Sequence, residues 1–340
     1  MEKEEALCRI GETLDNLMCA DIAARGSIAC LYGAARKLSP APLTLGAAKI
    51  LKNSLKAKDR VVLATGWIDQ PEAAPGFGET DGPGGTLVLA RALRQLCKAA
   101  CVVVTDAGLV DGMKKVAQAA GFHCVAPDAL DHSIERDKLM TLSILPFPAE
   151  AAQAKAAAVK LLDEINPSVC IAVERGGMNE EGRIHSMTGF DTSAAQAKID
   201  YIFQEARRRK IKTLGIGDGG NEIGMANIKD CIRENIKYGR ECLCPCRKGI
   251  APATLVDYLL TAAVSNWGCY ALAGMLAALC GRPDLAHTPE REERILKNAA
   301  DSGFHDAMSG GVEYSVDGCE LPVHTAMVAL MRAAVQQGGR

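Results

Sequence analysis

From Asp59 onward the chain alternates short, continuously apolar runs with longer segments whose apolar residues recur every three to four positions. The first kind reads as buried strands and the second as amphipathic helices. Strands are expected at residues 60–64, 101–105, 123–125, 169–173, 212–216 and 241–246. Helices are expected at 86–97, 112–120, 149–165, 193–209, 227–238, 253–279, 289–301 and 322–336. Apolar strands separated by helices of this length predict an α/β fold, with a mostly parallel sheet covered by helices on both faces. Ahead of them, residues 4–19, 28–38 and 43–54 have helical periodicity, with a turn at Arg25-Gly26. Residues 1–57 are therefore expected to form a helical N-terminal segment packed on the sheet. No repeat, low-complexity run or long linker interrupts the pattern, which predicts one α/β domain over residues 1–340. Residues 310–318 alternate and turn like a small hairpin.

Composition narrows the functional classes. With 48% hydrophobic and 24% charged residues, the chain resembles a soluble globular protein with ample core. The formal net charge is −2 and no basic stripe appears, so no nucleic-acid partner is expected. The start, Met1-Glu-Lys-Glu-Glu, lacks the apolar stretch of a secretory signal, which predicts a cytoplasmic protein. The most apolar stretch, 255–280, is interrupted by Asp257, Ser265 and Asn266, so it is read as buried helix and no membrane association is expected. The fourteen cysteines are expected as reduced thiols. Cys242-Leu-Cys244-Pro-Cys246 is spaced more tightly than a zinc knuckle and has no second cysteine pair nearby. It is read as a strand with incidental thiols, with a structural zinc as the lesser alternative. His185, His305 and His324 have no spacing that marks metal ligation.

Acidic residues recur where strands are expected to end. Asp218 opens Gly217-Asp-Gly-Gly-Asn-Glu222 after one apolar run. Glu174 and Asp106 close two others, and Glu79-Thr-Asp81-Gly-Pro follows the run from Arg60. Ligands of α/β sheets gather outside the carboxyl ends of the strands. Acids aimed at one crevice repel unless something positive sits among them, and a hard divalent cation is the simplest candidate.

Each motif also has a plainer reading. Gly215-Ile-Gly-Asp-Gly-Gly220 fits a dinucleotide-binding glycine pattern, but Asp218 and Glu222 would set negative charge against a pyrophosphate. Asp218 could simply cap the next helix. The glycines before residue 86 leave backbone N–H groups for an anion, or form a plain surface loop with a cap at Asp81 or Thr80. Glu174-Arg175 could be a salt-bridged strand end. Ser265 and Asn266, polar within an apolar stretch, either bond the backbone or face a site.

Five separated blocks carry a resemblance. Glu79-Thr-Asp-Gly-Pro, Glu174-Arg-x-Gly with Glu181-Gly182, Gly215-Ile-Gly-Asp-Gly-Gly-Asn-Glu-Ile-Gly-Met, Ser265-Asn-Trp-Gly-x-Tyr-Ala-Leu-Ala and Val316-Asp-Gly with Pro322-x-His324 occur in order. Together they resemble the C-terminal domain of the D-glutamate cyclase family. The resemblance implies a Rossmann-like α/β domain and, from the vertebrate mitochondrial enzyme, conversion of D-glutamate to 5-oxo-D-proline with loss of water. The additional N-terminal domain of the vertebrate enzyme is not expected here. His185 stands where that pattern has tyrosine, and Asp191 where it has asparagine.

The implied chemistry assigns roles. Glu79, Asp81, Glu174, Asp218 and Glu222 are expected to ligate magnesium or manganese, or else calcium. Glu79, Asp218, Asn221 and Glu222 form the catalytic set, with Glu79 a further ligand or the base. Thr65, Gly66, Gly84, Gly85, Arg175, His185, Gly219, Gly220, Ser265 and Asn266 are expected around a small anionic substrate. Arg175 is the partner for its α-carboxylate, and Asn221 with the Gly219 and Gly220 backbone is expected to hold the oxyanion. Two other readings use the same cluster: a manganese-dependent phosphatase, as proposed for an archaeal relative, and a non-catalytic metal- or small-molecule-binding protein. A homo-oligomer is compatible with all three.

Overall fold

The computed structural model describes residues 2–338. Three helices come first, α1 (Glu2–Met18), α2 (Ile28–Lys37) and α3 (Leu43–Ser54). The alternating part then runs β1 (Arg60–Ala64), α4 (Pro83–Cys97), β2 (Ala100–Asp106), α5 (Val110–Ala119), β3 (His123–Cys124), α6 (Pro127–Arg136), β4 (Thr141–Phe147), α7 (Ala151–Ile165) and β5 (Val169–Val173). It continues with α8 (Asp200–Arg208), β6 (Lys212–Gly217), α9 (Lys229–Asn235), β7 (Tyr258–Thr261), α10 (Ser265–Cys280) and α11 (Pro289–Asp301). A hairpin, β8 (Ser315–Val316) and β9 (Cys319–Glu320), leads into α12 (Leu321–Gly338).

The strands of the main sheet lie in the order β3-β4-β2-β1-β5-β6-β7, and every pair is parallel. The α/β class read from the sequence is the observed one. From the central β1–β5 pair the chain steps one way through α4 to β2 and the other way through α8 to β6. Right-handed crossovers in opposite directions put those two helices on opposite faces. On one face α10 packs against α3 and α4, and elsewhere α7 packs on α8. The N-terminal helices belong to this packing, since α1 lies on α10 and α12 while α2 and α3 lie on β7. Among the described residues no helix is long and apolar enough to cross a membrane.

Several elements differ from expectation. Residues 241–246 form no strand; they are an irregular loop. The expected helix 253–279 is split by β7, because a buried strand followed by a buried helix is one apolar run without a visible boundary. Asp257 stands just ahead of β7, where its carboxylate accepts hydrogen bonds from Thr213 N and Oγ1 and holds β7 beside β6. Strand β4 is not expected from the sequence, because Pro146 argues against a sheet interior, yet Pro146 pairs with Thr105 near the strand's end. Helix α6, with proline in its first turn, is not expected either. Helix α8 starts at Asp200; residues 193–199 ahead of it are irregular.

Candidate functional site

The chain leaves β1 toward β2 and returns to β5 on the other side, so the crevice between the carboxyl ends of β1 and β5 is the topological switch point. Thr65 and Gly66 follow β1, Glu174 follows β5, and Asp218 follows β6. A cavity of about 490 Å³ opens there, within the usual range for small ligands. Glu79, Glu174, Asp218 and Asp317 line it, with Arg25, Trp67, Ser186, Met187, Thr188, Gly219, Asn221 and Lys237. A larger groove of about 700 Å³ between α2 and α9 contains none of these carboxylates.

Asp81 and Asn266 cap two helices reciprocally. The Asp81 carboxylate accepts the N–H groups of Ser265 and Asn266, each at 2.8 Å, at the start of α10. Asn266 Oδ1 accepts from Gly82 N at 3.1 Å and Gly85 N at 2.6 Å, at the start of α4. A Cβ on Gly85 would sit 2.7 Å from Asn266 Cα, so only glycine allows the two helix ends to meet this closely. The Gly82–Gly85 turn therefore does not present those N–H groups to an anion. Ser265 Oγ donates to Glu174 Oε2 at 2.5 Å and positions it at the cavity. Glu174 itself has φ +43°, a left-handed conformation unusual outside glycine and frequent at functional sites.

The turn after β6 is closed by its own acid. Glu222 accepts from Asp218 N (2.7 Å) and Gly219 N (2.5 Å) on one oxygen and from Gly220 N (2.7 Å) on the other. A Cβ on Gly217 would lie 2.9 Å from Glu222 Cδ, so the glycines let the turn fold back on β6. This overturns the expected oxyanion role of Gly219 and Gly220 and removes the pyrophosphate cradle that a dinucleotide would need. Asn221 lines the cavity while its Nδ2 donates to His185 O at 2.8 Å.

Arg25 supplies a positive charge that the sequence reading assigned to a metal. Its Nη2 lies 2.6 Å from Asp218 Oδ2 and its Nη1 2.8 Å from Asp317 Oδ2. Asp317 sits in the Asp-Gly turn between β8 and β9, with φ +52°. Neither Arg25 nor Asp317 stands out in the sequence as a site residue. The hairpin expected at 310–318 lies instead at 315–320, and nothing local links its Asp317-Gly318 turn to Asp218.

One guanidinium does not balance this many acids. Burial, then Asp317 and Asp81, pushes Glu79 well above the usual carboxylate range, and its Oε1 is buried without a partner. Burial and Asp218 raise Glu174 well above its ordinary value. Burial and Asp218 push Asp81 up to about 7. Burial raises Asp218 as well, although Arg25 opposes it. Burial and Asp81 push Asp317 up to about 6. Carboxylate oxygens of Asp81, Asp218 and Asp317 lie within 4.8 Å of one another, as do those of Glu174, Asp218 and Glu222. These oxygen-only groupings, short of positive charge, fit a hard divalent cation.

Other expected residues do not face the site. Arg175 is fully buried and donates to both oxygens of Asp106, to Gly66 O and to Ala197 O. Asp106 also accepts from Ala197 N at 2.6 Å. The pair ties the ends of β2 and β5 together behind the cavity; of the guanidinium donors only the Nε–H, itself buried, is left without a partner. Thr65 is buried with its Oγ1 unpartnered, and Gly66 takes φ +102°. Gly84 and Gly85 lie inside α4, and Ser265 and Asn266 are committed to Glu174 and to the helix caps. The His185 ring turns away, toward the cysteine loop.

The sequence profile described as D-glutamate cyclase-like, C-terminal, matches residues 14–332. The chain belongs to that family. It is 29% identical over 283 residues to human mitochondrial D-glutamate cyclase, covering 76% of this chain and 42% of the human protein. The chain thus spans less than half the length of that relative. The matched region takes in both Arg25 and Asp317, so the guanidinium bridge lies within the family's own boundaries.

Proposed function

We propose that the protein is a D-glutamate cyclase-like lyase, converting D-glutamate to 5-oxo-D-proline and water. The carrying observation is the pocket of crowded, buried carboxyls at the switch point, in a chain of this family. In the reaction the substrate amine attacks its own γ-carboxyl carbon and forms the lactam C–N bond. The C–O bond breaks, and two protons from the ammonium group leave with that oxygen as water.

Such a reaction needs a base and an acid at one site, which environments that separate carboxyl pKa values provide. Asp317, held by Arg25 and lifted only to about 6, carries the ionised form and takes the ammonium proton, with Asp218 beside it on the same guanidinium. Glu79 and Glu174, raised by burial without a cationic partner, hold a proton for the departing oxygen. Magnesium or manganese held by Asp81, Asp218 and Asp317, or by Glu174, Asp218 and Glu222, would polarise the γ-carboxyl and stabilise its oxyanion. With Arg175 committed, the anchor for the α-carboxylate is Lys237. It lines the cavity, as Ser186 and Thr188 also do, without a salt-bridge partner among the described residues.

The test is to incubate purified protein with magnesium or manganese and offer D-glutamate, L-glutamate and a generic phosphomonoester. Formation of 5-oxoproline from D-glutamate, at least about tenfold faster than from L-glutamate, is expected. Equal rates on both enantiomers, or phosphate release alone, would overturn the assignment.

A further inference from the structure

Away from the carboxylate pocket, the fold gathers Cys242, Cys244 and Cys246 around the ring of His185. The sulfurs lie 3.6 Å (242 to 244), 3.4 Å (242 to 246) and 3.1 Å (244 to 246) apart. His185 Nε2 is 3.2 Å from Cys244 Sγ and 3.9 Å from Cys246 Sγ. One ligand atom from each of the four residues falls within 4.8 Å of all the others. We infer that these residues form a Cys3His zinc site that fixes one wall of the cavity.

Geometry and chemistry both support zinc. A tetrahedral ion with Zn–S near 2.3 Å and Zn–N near 2.0–2.1 Å sets sulfurs about 3.8 Å apart and sulfur and nitrogen about 3.6 Å apart. The observed nitrogen–sulfur separations bracket the second value, and the sulfur separations of 3.6, 3.4 and 3.1 Å fall below the first, so an ion would spread the cysteines slightly. The sulfur separations are far beyond the ~2.05 Å of a disulfide. Three thiolates and an imidazole are the ligand set of closed structural zinc sites, whereas hard cations prefer oxygen. Asn179 Nδ2 lies 3.5 Å from Cys246 Sγ, the kind of outer hydrogen bond that steadies a thiolate ligand. A five-residue C-x-C-x-C loop supplies three ligands, and the fourth comes from 57 positions upstream of Cys242, which is why spacing alone did not reveal it.

The site joins two loops that no regular element holds together. The cysteine loop touches the strap containing His185 through Leu243 N donating to Gly189 O at 3.0 Å. That strap contributes Ser186, Met187 and Thr188 to the cavity, and the His185 carbonyl holds Asn221. Zinc at His185 therefore orders the wall facing the acids without touching the reacting groups.

The experiment uses untagged full-length protein expressed with zinc. Metal analysis is expected to find about one zinc per chain, released stoichiometrically by a mercurial that titrates thiols. Replacement by cobalt(II) should give thiolate-to-cobalt charge-transfer absorption with tetrahedral d–d bands. Those bands should vanish in C244S and survive in D218N, which separates this site from any ion in the carboxylate pocket. If C244S does not fold, mapping alkylated peptides of the wild type gives the same answer: zinc should protect Cys242, Cys244 and Cys246 selectively. Protein without zinc whose loop thiols alkylate equally with and without added zinc would overturn the proposal. So would cobalt spectra lacking thiolate bands, or a Cys244–Cys246 disulfide in the purified protein.

Discussion

Arg25 Nη2 lies 2.6 Å from Asp218 Oδ2, so a residue of the loop after α1 reaches the acid that follows β6. The same guanidinium holds Asp317 at 2.8 Å. Three distant parts of the chain thus meet at one charge, and the helical N-terminal segment becomes part of the site. Both sides of the pair are largely buried, and removing one partner of a buried pair leaves an uncompensated charge. Arg25→Ala is therefore expected to lower stability by about 3 kcal/mol at neutral pH in the absence of divalent ions. Urea midpoints measure the loss. A millimolar divalent ion should recover part of it in the variant, because binding to the native state alone raises stability by mass action. No recovery would show that a metal cannot stand in for the guanidinium.

The Asp317 carboxyl gives a pH-dependent readout. Its folded pKa of about 6 lies above the ordinary unfolded value, so the native state binds this proton more tightly. Its contribution to stability is fully present below about pH 4 and is lost as pH rises through about 6. In metal-free protein, the stability of the wild type minus that of Asp317→Asn should fall across this window. Asparagine tolerates the left-handed φ of +52°, so backbone strain does not confuse the comparison. A difference that stays flat from pH 4 to 7 would contradict the raised pKa.

Arg175 and Asn266 test structural against substrate roles. Arg175→Met should destabilise by about 3–5 kcal/mol because Asp106 is left buried and unpaired. Converting both, to Arg175→Met with Asp106→Leu, should restore much of that loss. Asn266→Ala leaves Gly82 and Gly85 N–H groups without a partner and should cost about 1–3 kcal/mol. In both cases thermal stability should drop while KM for D-glutamate in the remaining folded enzyme changes little. A large KM rise at unchanged melting temperature would return either residue to the substrate.

The parallel α/β class was legible because strands buried on both faces carry unbroken apolar runs, as at 61–64, 100–104 and 169–173. The positions of Glu174 and Asp218 followed from the rule that strand ends carry the site. Tertiary relationships were not legible. Arg25 reads as one basic residue in a turn, and only the fold sets it against Asp218 and Asp317. Arg175 reads as a free cation beside Glu174, yet it turns inward because Asp106 ends the second strand away in the sheet. The Gly217–Glu222 turn reads as a ligand cradle because sequence does not show that Glu222 uses its N–H groups. His185 and the cysteine loop are separated by more than fifty residues, and their approach depends on the irregular packing of residues 184–191.

Lys237 separates substrate recognition from stability most cleanly. It is exposed at the cavity rim, with its ammonium 5.0 Å from the centre of the Tyr238 ring and no carboxylate partner among the described residues. An exposed, unpaired lysine contributes little to folding, so Lys237→Ala should change stability by no more than about 0.5 kcal/mol. A substrate with two carboxylates, entering a pocket already rich in acid, depends on a cation at the rim to hold its α-carboxylate. Charge-assisted hydrogen bonds of that kind contribute roughly 1.5–3 kcal/mol, so kcat/KM for D-glutamate should fall by about one to two orders of magnitude. The loss should reside mainly in KM, because the α-carboxylate has the same charge in the ground and transition states. Arginine at this position should keep part of the activity and alanine should not. Unchanged kcat/KM in Lys237→Ala would place the anchor elsewhere and leave Arg25 as the cation in reach of the substrate.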